Sequence, residues 1–145
     1  MVSRPKIVAS TTSGIDIEFV DALDSRRKYC QIKSGPNTIN YADITSIKDD
    51  FKAIKNLARV NRLPNFNPNI DCIVGVLYGE PDNLSQFYKT INEEYPVIIG
   101  QEFWHRLTGD ENFYNELIRT FVSIADEVDS TDLINEVIHK LSEQL

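Results

Sequence analysis

The sequence predicts an α/β fold, a mixed β-sheet flanked by helices and followed by a helical C-terminal part. Three observations predict it. Two early runs alternate with period two, a lysine-rich run with helical spacing follows them, and a β-branched run that hardly alternates comes next. A length of 145 residues suits one domain, expected over 1–145 with its core at 14–100 and its helical part at 101–145.

Gly14 to Val20 puts Ile15, Ile17 and Phe19 on one strand face and Asp16 and Glu18 on the other. Asp24-Ser25 is a turn candidate. Lys28 to Ser34 alternates again, Cys30 and Ile32 opposing Tyr29, Gln31 and Lys33, so the two runs are expected to pair antiparallel. Ser34 to Asn40 breaks the strand with Gly35, Pro36 and two asparagines. From Asp43, the apolar positions Ile44, Ile47, Phe51, Ile54 and Leu57 recur at helical spacing, with Lys48, Lys52, Lys55 and Arg59 mostly elsewhere on the surface.

The two prolines between Asn61 and Asn69 end that helix. Ile70 to Tyr78 reads as a strand covered on both faces, and a helix between two such strands implies a parallel crossover. Tyr95 to Ile99 is a further short strand. Helical patterns follow near 101–107, 111–127 and 131–144, the last opened by Ser130-Thr131-Asp132. With no helix before the first strand, one sheet face must be covered by a later helix, or the chain is a fragment.

Composition narrows the class without naming the partner. An apolar fraction of 41% suits a folded globular chain. There is no apolar run of membrane-spanning length and no leader pattern, so a cytoplasmic protein without a membrane role is expected. Cys30 and Cys72 lie in separate strand-like runs and read as reduced core thiols. The net charge of −7 is uneven: residues 1–69 hold 11 Lys/Arg against 7 Asp/Glu, and residues 70–145 hold 4 against 15. A basic face on the first half is therefore compatible with an acidic chain, because salt confines each field to about 10 Å.

If the two early strands pair, Asp16, Glu18, Gln31 and Lys33 project from one side of the sheet. A carboxylate, a second oxygen ligand and an ammonium gathered there suit Mg2+ and an activated water, since hard cations prefer oxygen donors and need only one or two from the protein. The lysine would orient the nucleophile or stabilise transition-state charge.

GIDIEF followed by YCQIKSGPNTIN resembles the PD-(D/E)XK superfamily, and specifically its type II restriction endonucleases. The later GQEFWHRLTGDENFY strengthens the likeness, which covers roughly residues 14–120. The resemblance implies a restriction-endonuclease-like core that hydrolyses phosphodiester bonds of double-stranded DNA with Mg2+, acting as a homodimer on a palindromic site without a nucleotide cofactor. By the same likeness Asp16 matches the first acidic metal ligand, Gln31 occupies the second acidic position and Lys33 matches the motif lysine. Most members carry Glu or Asp where Gln31 stands. An amide offers one carbonyl oxygen but no charge, and Glu18 is expected to restore that charge as an auxiliary ligand. Members also carry a longer N-terminal part, which is expected to be lacking here.

Ser34, Asn37, Thr38 and Asn40 are candidates for phosphate contacts, beside the plainer reading of a turn-forming loop. Lys48, Lys52, Lys55, Arg59 and Arg62 read as an ordinary solvated helix face. Phe103, Trp104 and Leu107 read as packing of a short helix on the sheet, and His105 and His139 lack a partner at zinc spacing. The glycines at 75 and 79 do not form a phosphate loop. The reading leans to an enzyme. Its alternatives are a truncated or inactive nuclease-fold remnant and an acidic protein-binding module.

Overall fold

The computed structural model describes residues 7–61, 65–125, 135 and 138–143, and all structural statements concern these. Five strands form one sheet in sequential order: β1 (Ile7–Ala9), β2 (Ile17–Val20), β3 (Arg27–Lys33), β4 (Cys72–Val76) and β5 (Val97–Ile99). The first three pair antiparallel, and β3–β4 and β4–β5 pair parallel. The parallel connections carry α1 (Tyr41–Asn61) with the short α2 (Pro68–Asp71), and then α3 (Gln86–Asn92). Helices α4 (Gln101–Thr108) and α5 (Phe113–Ala125) follow the last strand. This is the expected mixed sheet with helices on both faces.

Period-two patterning sorts the strand residues between two cores. Tyr29, Cys72, Val74 and Val76 face α1 and α3, where Ile44, Ile47, Phe51, Ile54, Tyr88 and Ile91 cover them. Ile17, Phe19, Cys30, Ile32 and Ile73 face the other way, onto Phe103, Trp104, Leu107, Phe113 and Leu117 of α4 and α5. A later helix therefore covers the second face, as one of the two expectations had it. Cys30 and Cys72 are buried and unbonded in opposite cores, which keeps them from forming a disulfide. Burial pushes both thiols up, Cys72 to about 12.

Several boundaries differ from the sequence reading. Ile15 was expected beside Ile17 and Phe19 but packs into the α1 core, because pairing stops at Ile17 and a turn at Thr12–Ile15 ends the alternation. On α1, Leu57 is exposed and the small Ala58 meets the core instead. The strand expected at 70–78 is shorter, since Ile70 and Asp71 belong to α2 and Tyr78 is exposed. Strand β1 and helix α3 were not anticipated. Of the helix expected at 131–144 only 135 and 138–143 are described, its expected start at Ser130 to Asp132 and also Arg62 lie outside the described residues, and no described helix is long and apolar enough to cross a membrane.

Trp104 anchors α4 by donating its indole N–H to the Leu77 carbonyl at 2.7 Å, which agrees with a packing role. The helix ends at Gly109, whose φ of +77° is the left-handed cap that glycine adopts at least cost.

Candidate active site

The antiparallel β2–β3 pair builds the site from the sequence outward. Ile17 stands opposite Cys30 and Glu18 opposite Tyr29. Beyond that register the ladder changes hands at Asp16. Its backbone N–H donates to the Cys30 carbonyl at 3.0 Å, while its carboxylate Oδ2 accepts the Ile32 N–H at 2.7 Å. The side chain thus holds a β3 amide, and this bond brings Asp16 to the backbone between Gln31 and Lys33. Asp16 is exposed to solvent, Gln31 is buried at 5% exposure, and Lys33 is half-buried.

Gln31 is held from α1. Its Nε2 donates to Oδ2 of Asp50 at 2.9 Å. A carboxylate only accepts, so the amide nitrogen must be the atom turned to Asp50. That leaves the carbonyl oxygen as the amide's remaining donor atom for a cation. Lys33 closes β3 where the strand runs parallel to β4, its own carbonyl accepting the Leu77 N–H, and it enters no ion pair among the described residues. Open α/β sheets carry their sites at such strand ends.

Glu18 is more committed than expected. Its Oε1 accepts from Arg27 at 3.0 Å and its Oε2 accepts from Ser10 at 2.7 Å. Next to it, Tyr29 stacks edge-on with Phe66 and lines a groove of about 440 Å³ with Arg26, Arg27 and Asn65. Burial raises the Tyr29 phenol, Glu18 adds to the rise, and Arg27 opposes it.

The loop after Lys33 divides into two kinds of residue. Ser34 and Asn37 are exposed. Thr38 donates to the Gly35 carbonyl at 2.9 Å, and the buried Tyr88 of α3 donates to the same oxygen at 3.0 Å. Asn40 caps α1: its Oδ1 accepts the Asp43 N–H, and its own N–H donates to the Asp43 carboxylate at 2.7 Å. Two of the four loop candidates therefore shape the loop.

The Asp16 carboxylate and the Gln31 carbonyl are oxygen donors of the kind that hard cations prefer. Among the described residues no three His, Cys, Asp or Glu side chains gather to hold a metal ion, so histidine- and thiolate-rich centres have no counterpart here. The residue that sequence reasoning missed is Asp50. It lies 19 residues from Gln31 on a different element, and helical periodicity carries no signal for such a contact.

The family model for the type II restriction endonuclease EcoO109I matches residues 5–129. No curated protein matches the chain. The match takes in the whole sheet, the residues around Asp16 and Lys33, and helices α1 to α5. The chain belongs to the type II restriction endonuclease EcoO109I family.

Proposed function

We propose that this chain hydrolyses phosphodiester bonds of double-stranded DNA at a specific site, using Mg2+ and water. The single observation that supports the reading is the 2.7 Å bond from the Ile32 N–H to the Asp16 carboxylate, which holds Asp16 at the β3 backbone between Gln31 and Lys33. Asp16 and the Gln31 carbonyl oxygen are the proposed metal ligands. Glu18, with both oxygens already accepting, is an auxiliary negative charge beside them. A bound Mg2+ would lower the pKa of its water and neutralise charge on the phosphoryl oxygens.

Lys33 is the proposed catalytic lysine. Its ammonium has no carboxylate partner among the described residues, so it is available to orient the attacking water and to hold developing negative charge. Ser34 and Asn37 are exposed just beyond it and are assigned to phosphate oxygens, a contact that positions DNA without reading sequence. Thr38 and Asn40 serve the same contact by holding the loop and the start of α1 in place. A homodimer would present two such sites to the two strands of a palindrome, because two-fold protein symmetry mirrors two-fold site symmetry.

The test is cleavage of a mixed-sequence plasmid by the purified chain with Mg2+ or with EDTA, beside Lys33→Ala. Discrete fragments that need Mg2+ are expected, and Lys33→Ala should slow cutting by about 10²-fold or more, the usual scale for losing one charge-stabilising donor. A folded chain that cuts no DNA with any divalent metal would instead be an inactive remnant of the nuclease fold.

A further inference from the structure

Resting on that reading, we infer that Asp50 is the positioning residue of Gln31 and supplies the negative charge that the amide lacks. The observation is a side-chain pair joining α1 to β3, not a cluster of acids. Gln31 Nε2 donates to Asp50 Oδ2 at 2.9 Å, which fixes the rotation of the amide and reserves its carbonyl oxygen for a cation.

Asp50 is itself an odd residue for its place. It lies on α1 one turn from Ile47 and from Ile54, both only 2% exposed, on the flank that meets the sheet. A half-buried carboxylate there carries a desolvation cost that an ion pair would normally offset. Among the described residues Asp50 has no ion pair, and its side chain has the Gln31 amide as partner.

The backbone makes room for it. Gly14, two residues before Asp16, has φ +80°, and a Cβ placed there would lie 2.5 Å from Asp50 Cγ. The carboxylate of Asp50 is thereby seated against the chain just before Asp16 and against the side chain of Gln31. The two assigned ligands thus share a carboxylate neighbour. The pair Gln31–Asp50 does together what one carboxylate would do alone: the amide oxygen coordinates, and the carboxylate behind it balances charge. Glu18 remains an auxiliary, since its Oε1 is paired with Arg27 and its Oε2 accepts from Ser10, whereas Asp50 bonds Gln31 directly.

The test is calorimetric titration of Mn2+ into the full chain, without DNA, for wild type, Asp50→Asn, Asp16→Asn and the double variant Gln31→Glu/Asp50→Asn. Asn at 50 still accepts the Gln31 N–H through its carbonyl, so a purely structural role would leave metal affinity unmoved. Asp50→Asn should raise the Mn2+ Kd by about tenfold, and the double variant, which exchanges amide and carboxylate across the same hydrogen bond, should return it to within about threefold of wild type.

An unchanged Kd in Asp50→Asn overturns the inference, as does a double variant no better than the single one. If Asp16→Asn abolishes Mn2+ binding while Asp50→Asn leaves the Kd unchanged, the inference falls and the nuclease reading stands. If the wild-type chain takes up no Mn2+, the inference falls as well, and plasmid cleavage alone decides the nuclease reading.

Discussion

Asp21, wholly buried at the end of β2, is the charge on which the β2–β3 turn depends. Its Oδ2 lies 2.7 Å from Arg106 of α4 and 3.7 Å from the equally buried Lys28, and its Oδ1 accepts the Leu23 N–H. Lys28 also meets Asp24 at 2.6 Å. Burial opposes ionisation of Asp24, but the Lys28 hydrogen bond, the Arg26 amide and the charges of Lys28 and Arg106 outweigh it and hold its carboxyl below the usual range. Hydrogen bonds to Asp21 and Glu102 likewise outweigh burial and raise Arg106.

Asp21→Ala would leave Lys28 and Arg106 short of one anion. Because Asp24 still holds Lys28, the expected loss is about 3 kcal/mol, the low end for breaking a buried pair. The shift of the urea midpoint at constant m-value measures it. None of this network was legible in the sequence. Asp21 and Arg106 are 85 positions apart, and a charge among charges gives no sign of being buried. Asp16, Gln31 and Lys33 were singled out from the sequence by period-two alternation on two adjacent strands, but the ladder stops at Ile17 and the Asp16 carboxylate instead takes the Ile32 amide.

At the scale of elements, α4 packs so closely on β4 that one strand position has room for hydrogen alone. A Cβ on Gly75 would lie 2.2 Å from Cε1 of Phe103. Gly75→Ala should therefore cost about 3 kcal/mol, the upper part of the usual range for overpacking, read as a lowered denaturation midpoint. Adding Phe103→Leu should recover part of the loss, and no recovery would point to the backbone of β4 instead.

The elements that patterning disclosed are those long enough to repeat. Helix α1 shows its stripe over 21 residues, and all five residues of β4 are buried, as its unbroken apolar run suggested. The elements it concealed are short. Strand β1 has three residues, and α3 buries only Tyr88 and Ile91 among seven. Both are held by their neighbours, β1 by its ladder to β2 and α3 by the α1 core, so their own sequences need carry little periodic signal.

For the molecule as a whole, an acidic chain that binds DNA must keep its cations on one side. Lys33 and the lysines of α1 belong to the half with excess positive charge, and the acidic residues concentrate after position 70. Lys48 pairs with Glu94, whereas Lys52 and Lys55 are exposed. Binding to duplex DNA is therefore expected to weaken as salt rises, with log K falling by about 0.9 per decade of salt for each phosphate neutralised. Fluorescence anisotropy of a labelled duplex across a salt series measures the slope. A chain that fails to bind at every salt concentration would favour the acidic protein-binding module.

The sequence by itself determined the order and type of the long elements and the antiparallel pairing of the two early strands. Those follow from local rules, since strand alternation and helical spacing act over a few residues. Tertiary structure alone decided that α4 and α5 cover the second face, that Ile15 leaves the alternation of its strand, and that Asp50 meets Gln31. The first and last depend on segments far apart in the chain meeting in one place, and the second on the turn at Thr12–Ile15 that hands Ile15 to the α1 core. Side-chain volume and hydrogen-bonding capacity select such meetings, and the pattern of either segment alone does not encode them.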